Sequence, residues 1–104
     1  MPRCRITVLK RTLQPEIAST FCRREAAACE TFREGQEFTT SFAKPSGFCD
    51  WAWNDIHKYV ATLLAGGSFG GRLFDGWMKD DRTMVACCTD GVRPVVFGIE
   101  RIED

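Results

Sequence analysis

Apolar and polar residues alternate one by one in some stretches of this chain and recur at helical spacing in others. The changes of period mark its elements. The longest helical stretch is GFCDWAWNDIHKYVATLLAGG, residues 47–67. At about 100° per residue, Cys49, Ala52, Trp53, Ile56, Tyr59, Val60, Leu63 and Leu64 fall on one broad face. Asp50, Asn54, Lys58, Ala61 and Thr62 fall opposite. This predicts a central helix over about 48–65, with Ile56, Val60 and Leu63 buried against a sheet. Gly66 and Gly67 stand where a left-handed C-terminal cap is wanted. Pro45, Ser46 and Gly47 lead into the helix, and Ser46 is the expected N-cap. Asp50 then lies near the first turn, where a carboxylate suits the helix dipole. Trp51 is off the apolar face; it either lies over a neighbouring loop or forms the aromatic wall of a site.

The flanking segments read as strands and one further helix. CRITVLKR, residues 4–11, alternates and is β-branched, as a strand requires. Pro15 suits a first helical turn, and Leu13, Ile17 and Phe21 recur at four-residue spacing, so a short helix is expected over about 15–24. EAAACE, residues 25–30, would extend it. GQEFTTSF, from Gly35, alternates with Phe38 and Phe42 on one side and Glu37, Thr39 and Ser41 on the other. Residues 68–81 are irregular and rich in glycine and aromatics; a loop pinned by its rings, with a lid as one use, is the reading. TMVACCT (83–89) and VVFGIERI (95–102) are two strands joined by DGVRP. A tight turn at Asp90-Gly91 would set Pro94 opposite Cys87, where proline has no N–H to give, so a wider loop is expected. The fold class that results is α+β: a curved or partly closed antiparallel sheet of about four strands packed on the central helix.

Length and charge narrow the function classes. The chain has 104 residues, enough for one domain with its own core. Its 14 basic and 14 acidic residues balance, which argues against a general nucleic-acid footprint. The balance is uneven, with Arg3, Arg5, Lys10, Arg11, Arg23, Arg24 and Arg33 gathered in the first third. That leaves a basic face for RNA as the weakest of the readings kept. No segment approaches the roughly 18 apolar residues of a membrane span, and MPRCRITVLKR has no apolar signal-peptide core. A cytoplasmic protein is expected, with no membrane partner.

Six cysteines, Cys4, Cys22, Cys29, Cys49, Cys87 and Cys88, carry the candidate chemistry. In a reducing compartment free thiols are the default, and some serve as small core residues. Cys49 falls at the start of the central helix, near backbone N–H groups left open there, yet faces the core side. Cys87 and Cys88 are adjacent on a strand, so their side chains point to opposite faces and only one can share a pocket with Cys49. No CxxC pair announces zinc. A metal, zinc or iron, would need Cys29, Cys49 and one or both of Cys87 and Cys88 to converge in space. His57 lies about 12 Å along the helix from Cys49 and is read as structural. Asp90 and Arg93 share the hairpin loop; the plainer account is that Asp90 fixes its own turn and pairs with Arg93. GGSFGGR is not a phosphate loop, because it follows a helix and lacks the lysine-Ser/Thr ending. No G-x-S-x-G elbow and no close pair of carboxylates support serine-type or glycosidase chemistry.

At GFCDWAW and ACCTDGVRPVVF the chain resembles a family of small prokaryotic proteins of about this length, functionally uncharacterised. ITVLKR, CETFREGQEF and the closing IERIE extend the resemblance over nearly the whole chain. Residues 70–76 look like an insertion relative to it. The resemblance takes in Cys29, Cys49, Cys87 and Cys88 and implies no activity.

The leading expectation is a cysteine-centred thiol or metal site at Cys29, Cys49, Cys87 and Cys88. The alternative is a non-catalytic module that binds a small ligand or protein through Trp51, Trp53 and the Asp90–Arg93 loop. A small molecule or protein is favoured over nucleic acid as partner. Whether a reaction is catalysed is left open. A shared thiol site requires the strand carrying Cys87 and Cys88 to run antiparallel to the central helix, so that the end of one meets the beginning of the other.

Overall fold

Alternation dictates the sheet. The fold is that of a computed structural model describing residues 1–103. Strand β1 spans Arg3–Arg11, β2 Glu37–Thr40, β3 Thr83–Cys87 and β4 Val95–Ile102. They form one antiparallel sheet in the order β2-β1-β4-β3. The even positions Cys4, Ile6 and Val8 of β1 and the odd positions Val95, Phe97 and Ile99 of β4 point to the same face and are buried. The opposite face is mixed: Arg5 and Glu100 are ion-paired across β1 and β4 at 2.7 Å, while Leu9 and Val85 stand exposed beside Gly98.

The central helix, α2, spans Asp50–Leu64 and packs on β1, β3 and β4. Its Ala52, Ile56, Val60 and Leu63 are buried, as their spacing predicts. Gly66, at φ +90°, ends it. The N–H of Gly66 donates to Leu63 O and that of Gly67 to Thr62 O, the paired bonds of a Schellman cap. A Cβ at Gly67 would lie 2.6 Å from Thr62 Cγ2, so the doublet is required on steric grounds as well.

Several expectations need correction. The sheet is open, not partly closed. Its edges, β2 and β3, pair on one side only, and α2 rather than a further strand covers the apolar face. Ser46 is not the N-cap. Phe48 N–H donates to Pro45 O in a turn that uses Gly47 at φ +79°, and this moves the cap to Cys49, whose carbonyl accepts from Trp53 N–H. The first helix, α1, covers only Pro15–Phe21, and it buries Ala18 while Phe21 stays exposed. EAAACE does not extend it. The chain turns to extended geometry at Cys22 and carries Phe32 into the core at 2% exposure. Tertiary packing here overrides the helix propensity of alanine. β2 stops at Thr40, so Phe42 leaves the sheet and lies 5.0 Å from the His57 ring.

The hairpin loop is wide, as the missing N–H of Pro94 demands. Cys87 pairs with Val96 rather than with Pro94. Cys88 N–H donates to Val95 O, and on the far side Thr12 N–H donates to Pro94 O and Gln14 N–H to Val92 O. The loop is thus held along both flanks. Among the described residues, no helix is long and apolar enough to cross a membrane.

Candidate functional site

The antiparallel relation of β3 and α2 brings the end of one to the beginning of the other. A cavity of about 130 Å³ lies there. Its walls come from three separate segments. Cys29 and Phe32 belong to the irregular run before β2, Cys49, Trp51 and Ala52 to the start of α2, and Cys88, Asp90, Arg93 and Val95 to the hairpin. Three of the four candidate thiols therefore line one space.

Cys87 does not. It follows Val85 on the outward side of β3 and is exposed, while Cys88 turns inward. Strand geometry permits only this division. Trp53 is also outside the cavity: its ring lies 5.7 Å from Phe48 and 5.1 Å from His57. Two residues of helix turn a side chain through about 200°, so Trp51 and Trp53 face apart. His57 sits between Trp53 and Phe42, a structural position. Cys4 is a core residue. It is fully buried, burial pushes its thiol up to about 11, and its Sγ points to Val60 O at 3.9 Å. Cys22 is exposed just beyond α1. All six thiols are free.

A polar clasp ties the two halves of the cavity rim together. Thr89 N–H donates to Asp55 Oδ2 at 2.7 Å, and the Thr89 hydroxyl lies 3.1 and 3.0 Å from the two Asp55 oxygens. Trp51 Nε1–H donates to the same hydroxyl at 2.8 Å. Asp55 and Thr89 were not among the residues singled out from the sequence. The signal was available, because Trp51 and Asp55 are four apart and both lie off the apolar face of α2, where i and i+4 side chains stand side by side. The Trp51 indole reaches the neighbouring loop, as its plainer reading expected, and the residue also lines the cavity.

Inside the rim, Cys88 Sγ accepts from Val95 N–H at 3.4 Å. Cys49, although it stands at the N-cap, makes no side-chain capping bond. Cys29 is fixed through its carbonyl, which accepts from Arg11 Nη1 at 3.0 Å. Asp90 Oδ1 accepts from the N–H groups of Val92 and Arg93 at 2.9 and 3.0 Å, and Oδ2 faces Arg93 Nε at 3.4 Å. Asp90 thus fixes its own turn and pairs with Arg93, while both side chains still border the cavity.

Burial pushes the Asp90 carboxyl up, but the N–H groups of Arg93 and Val92, with the Arg93 guanidinium, outweigh it and hold it below the ordinary value. A carboxyl depressed in the fold takes its proton more readily in the unfolded chain. Its contribution is therefore complete above the unfolded value, near 4, and is lost as pH falls through the folded one. The stability difference between the wild type and Asp90→Asn, measured by urea denaturation, should be constant near neutrality and shrink below about pH 4. A difference that stays flat into acid would refute this account.

The metal arrangement finds no support in this geometry. Among the described residues, no group of three or more His, Cys, Asp or Glu side chains is placed to hold an ion. The thiols share a cavity without closing into a ligand set. The irregular loop after α2 is at the other end of the helix. Phe69 is buried there against Tyr59, but Leu73 and Trp77 are exposed, so this loop is no lid on the thiol cavity. Of the N-terminal cations, Arg5 is engaged with Glu100 and Arg11 with the Cys29 carbonyl. Compared with known proteins, the chain matches no family model, no curated protein and no solved structure.

Proposed function

We propose that this protein acts through a thiol site in the cavity at the start of α2, with Cys49 and Cys88 as its working sulfurs and Cys29 as the third wall. The observation that carries the reading is the convergence of these cysteines from three segments onto one space. A core needs small apolar residues, and Cys4 supplies that use of cysteine in full burial. Cys29, Cys49 and Cys88 are only partly buried and border an opening. Free thiols in this number suit a reducing compartment, and a cytoplasmic location is part of the proposal.

A second reading has its own support. Trp51 is 55% exposed at the rim, and with the Asp90–Arg93 pair it offers an aromatic surface and a charge to a small molecule. In this reading the thiols are walls and not reagents. Zinc or iron is not carried forward, and stoichiometric metal in protein purified anaerobically under reducing conditions would restore it.

Timed alkylation of the folded protein with iodoacetamide, mapped by peptide mass, separates the two. The thiol site predicts that Cys49 and Cys88 are modified while the protein is folded and that Cys4 is modified only after denaturant unfolds it. If Cys22 and Cys87 react and the cavity cysteines stay closed, the thiol reading fails and the binding module remains.

A further inference from the structure

A larger open cleft of about 600 Å³ lies outside the thiol cavity, between residues 22–30 and the hairpin loop. Asp90 and Arg93 line both spaces, so the cleft meets the cavity at this pair. The cleft carries charge of both signs: Arg24 and Arg93 against Glu25, Glu30 and Asp90. The inner space is small and bordered by Cys29, Cys49 and Cys88, and the outer one is roomy, carries charge of both signs and has the exposed Cys22 on its wall. A molecule complementary to both has a sulfur at one end and carboxylate and ammonium groups on the remainder.

We propose that the site takes disulfides of small zwitterionic thiols, of amino-acid or short-peptide type, and forms a mixed disulfide at Cys49. This rests on the thiol reading above and names its substrate class. Cys49 is the attacking sulfur because its side chain is uncommitted, whereas Cys88 Sγ already accepts Val95 N–H. The Cys49 sulfur bonds to one sulfur of the small disulfide, whose S–S bond breaks. The other sulfur leaves as thiolate and takes up the proton that Cys49 releases. Cys49 is oxidised to the disulfide level and one small thiol is produced, so electrons and atoms balance with the disulfide as oxidant. A carboxylate of the small molecule meets the guanidinium of Arg93 or Arg24, and its ammonium meets Glu25 or Glu30, in charge-assisted hydrogen bonds.

The test compares two probes on the reduced protein, glutathione disulfide and the uncharged bis(2-hydroxyethyl) disulfide. Intact mass gives the rate and peptide mapping gives the site. Glutathione disulfide should modify Cys49 about tenfold faster than the neutral probe, the scale of one good charge-assisted contact. Arg24→Ala and Arg93→Ala should each reduce that preference, read as the ratio of the two rates at Cys49 within the same variant. Equal rates for the two probes at Cys49 would overturn the substrate class and leave the thiol site standing. Adducts confined to Cys22 and Cys87 with both probes, and no iodoacetamide labelling of Cys49, would overturn both.

Discussion

Phe32→Ala is expected to cost about 3–5 kcal/mol of stability and to open the thiol cavity at the same time. Phe32 belongs to no helix or strand, yet it is one of the most deeply buried residues. Its ring lies 5.1 Å from Phe48, 5.1 Å from Phe97 and 6.0 Å from Phe38, each at an edge-to-face angle. These partners come from the turn before α2, from β4 and from β2. Each such pair adds about 0.5–1.5 kcal/mol beyond area burial, which puts the loss toward the upper part of the range. A small domain holds only about 5–15 kcal/mol in total, so the variant should remain folded but unfold at a much lower urea concentration. Phe32 also lines the cavity. Removing the ring enlarges that space, and Cys49 and Cys88 should alkylate faster in the native state. A loss under about 1 kcal/mol, or a large loss with unchanged thiol rates, would show that the ring does not join core and cavity as described.

What the sequence made legible follows its periodicities. α2 carried a strong, uninterrupted pattern, and its buried Ile56, Val60 and Leu63 are those the spacing named; β4 was legible as a strand, and the structure shows which of its faces is buried. The wide hairpin followed from one missing N–H at Pro94. The sequence expected Cys49 near Cys87 or Cys88 on condition that strand and helix pack antiparallel; the fold meets that condition, and Cys88 rather than Cys87 borders the cavity with Cys49. The parts that were not legible have no period. Phe32 sits alone among polar residues, and nothing local distinguishes a buried phenylalanine from an exposed one there. Phe21 kept helical spacing with Leu13 and Ile17 but is exposed, because α1 buries itself through Ala18. β1 carries an irregularity between Val8 and Lys10, where Leu9 leaves the ladder and lies over Gly98; an alternation count passes over such a bulge. Asp55 and Thr89 are ordinary surface residues until the fold places them together.

The other large effect lies at Ile56, fully buried on the face of α2 that meets the sheet. Ile56→Ala should cost about 2–5 kcal/mol and Ile56→Val about 0.5–1.5 kcal/mol. The cost depends on how far the site can collapse into the space left behind, and here collapse is resisted at both ends. At the N-terminal end, Asp55 and Trp51 are bonded to Thr89, and the turn at Gly47 fixes the approach. At the C-terminal end, the glycine cap closes the helix and Arg101 Nη1 donates to Leu63 O at 3.0 Å. A helix pinned twice cannot slide to fill a hole at its centre, so the upper half of the range is expected. Ile56 does not border the thiol cavity. Its truncation should therefore lower the denaturation midpoint while native-state alkylation of Cys49 and Cys88 keeps its wild-type rate, under conditions where global unfolding is negligible. Phe32→Ala moves both readouts and Ile56→Ala only one. An Ile56→Ala protein with wild-type stability would mean that α2 is not seated on the sheet. One with accelerated thiol labelling would mean that core and cavity are coupled along the whole helix.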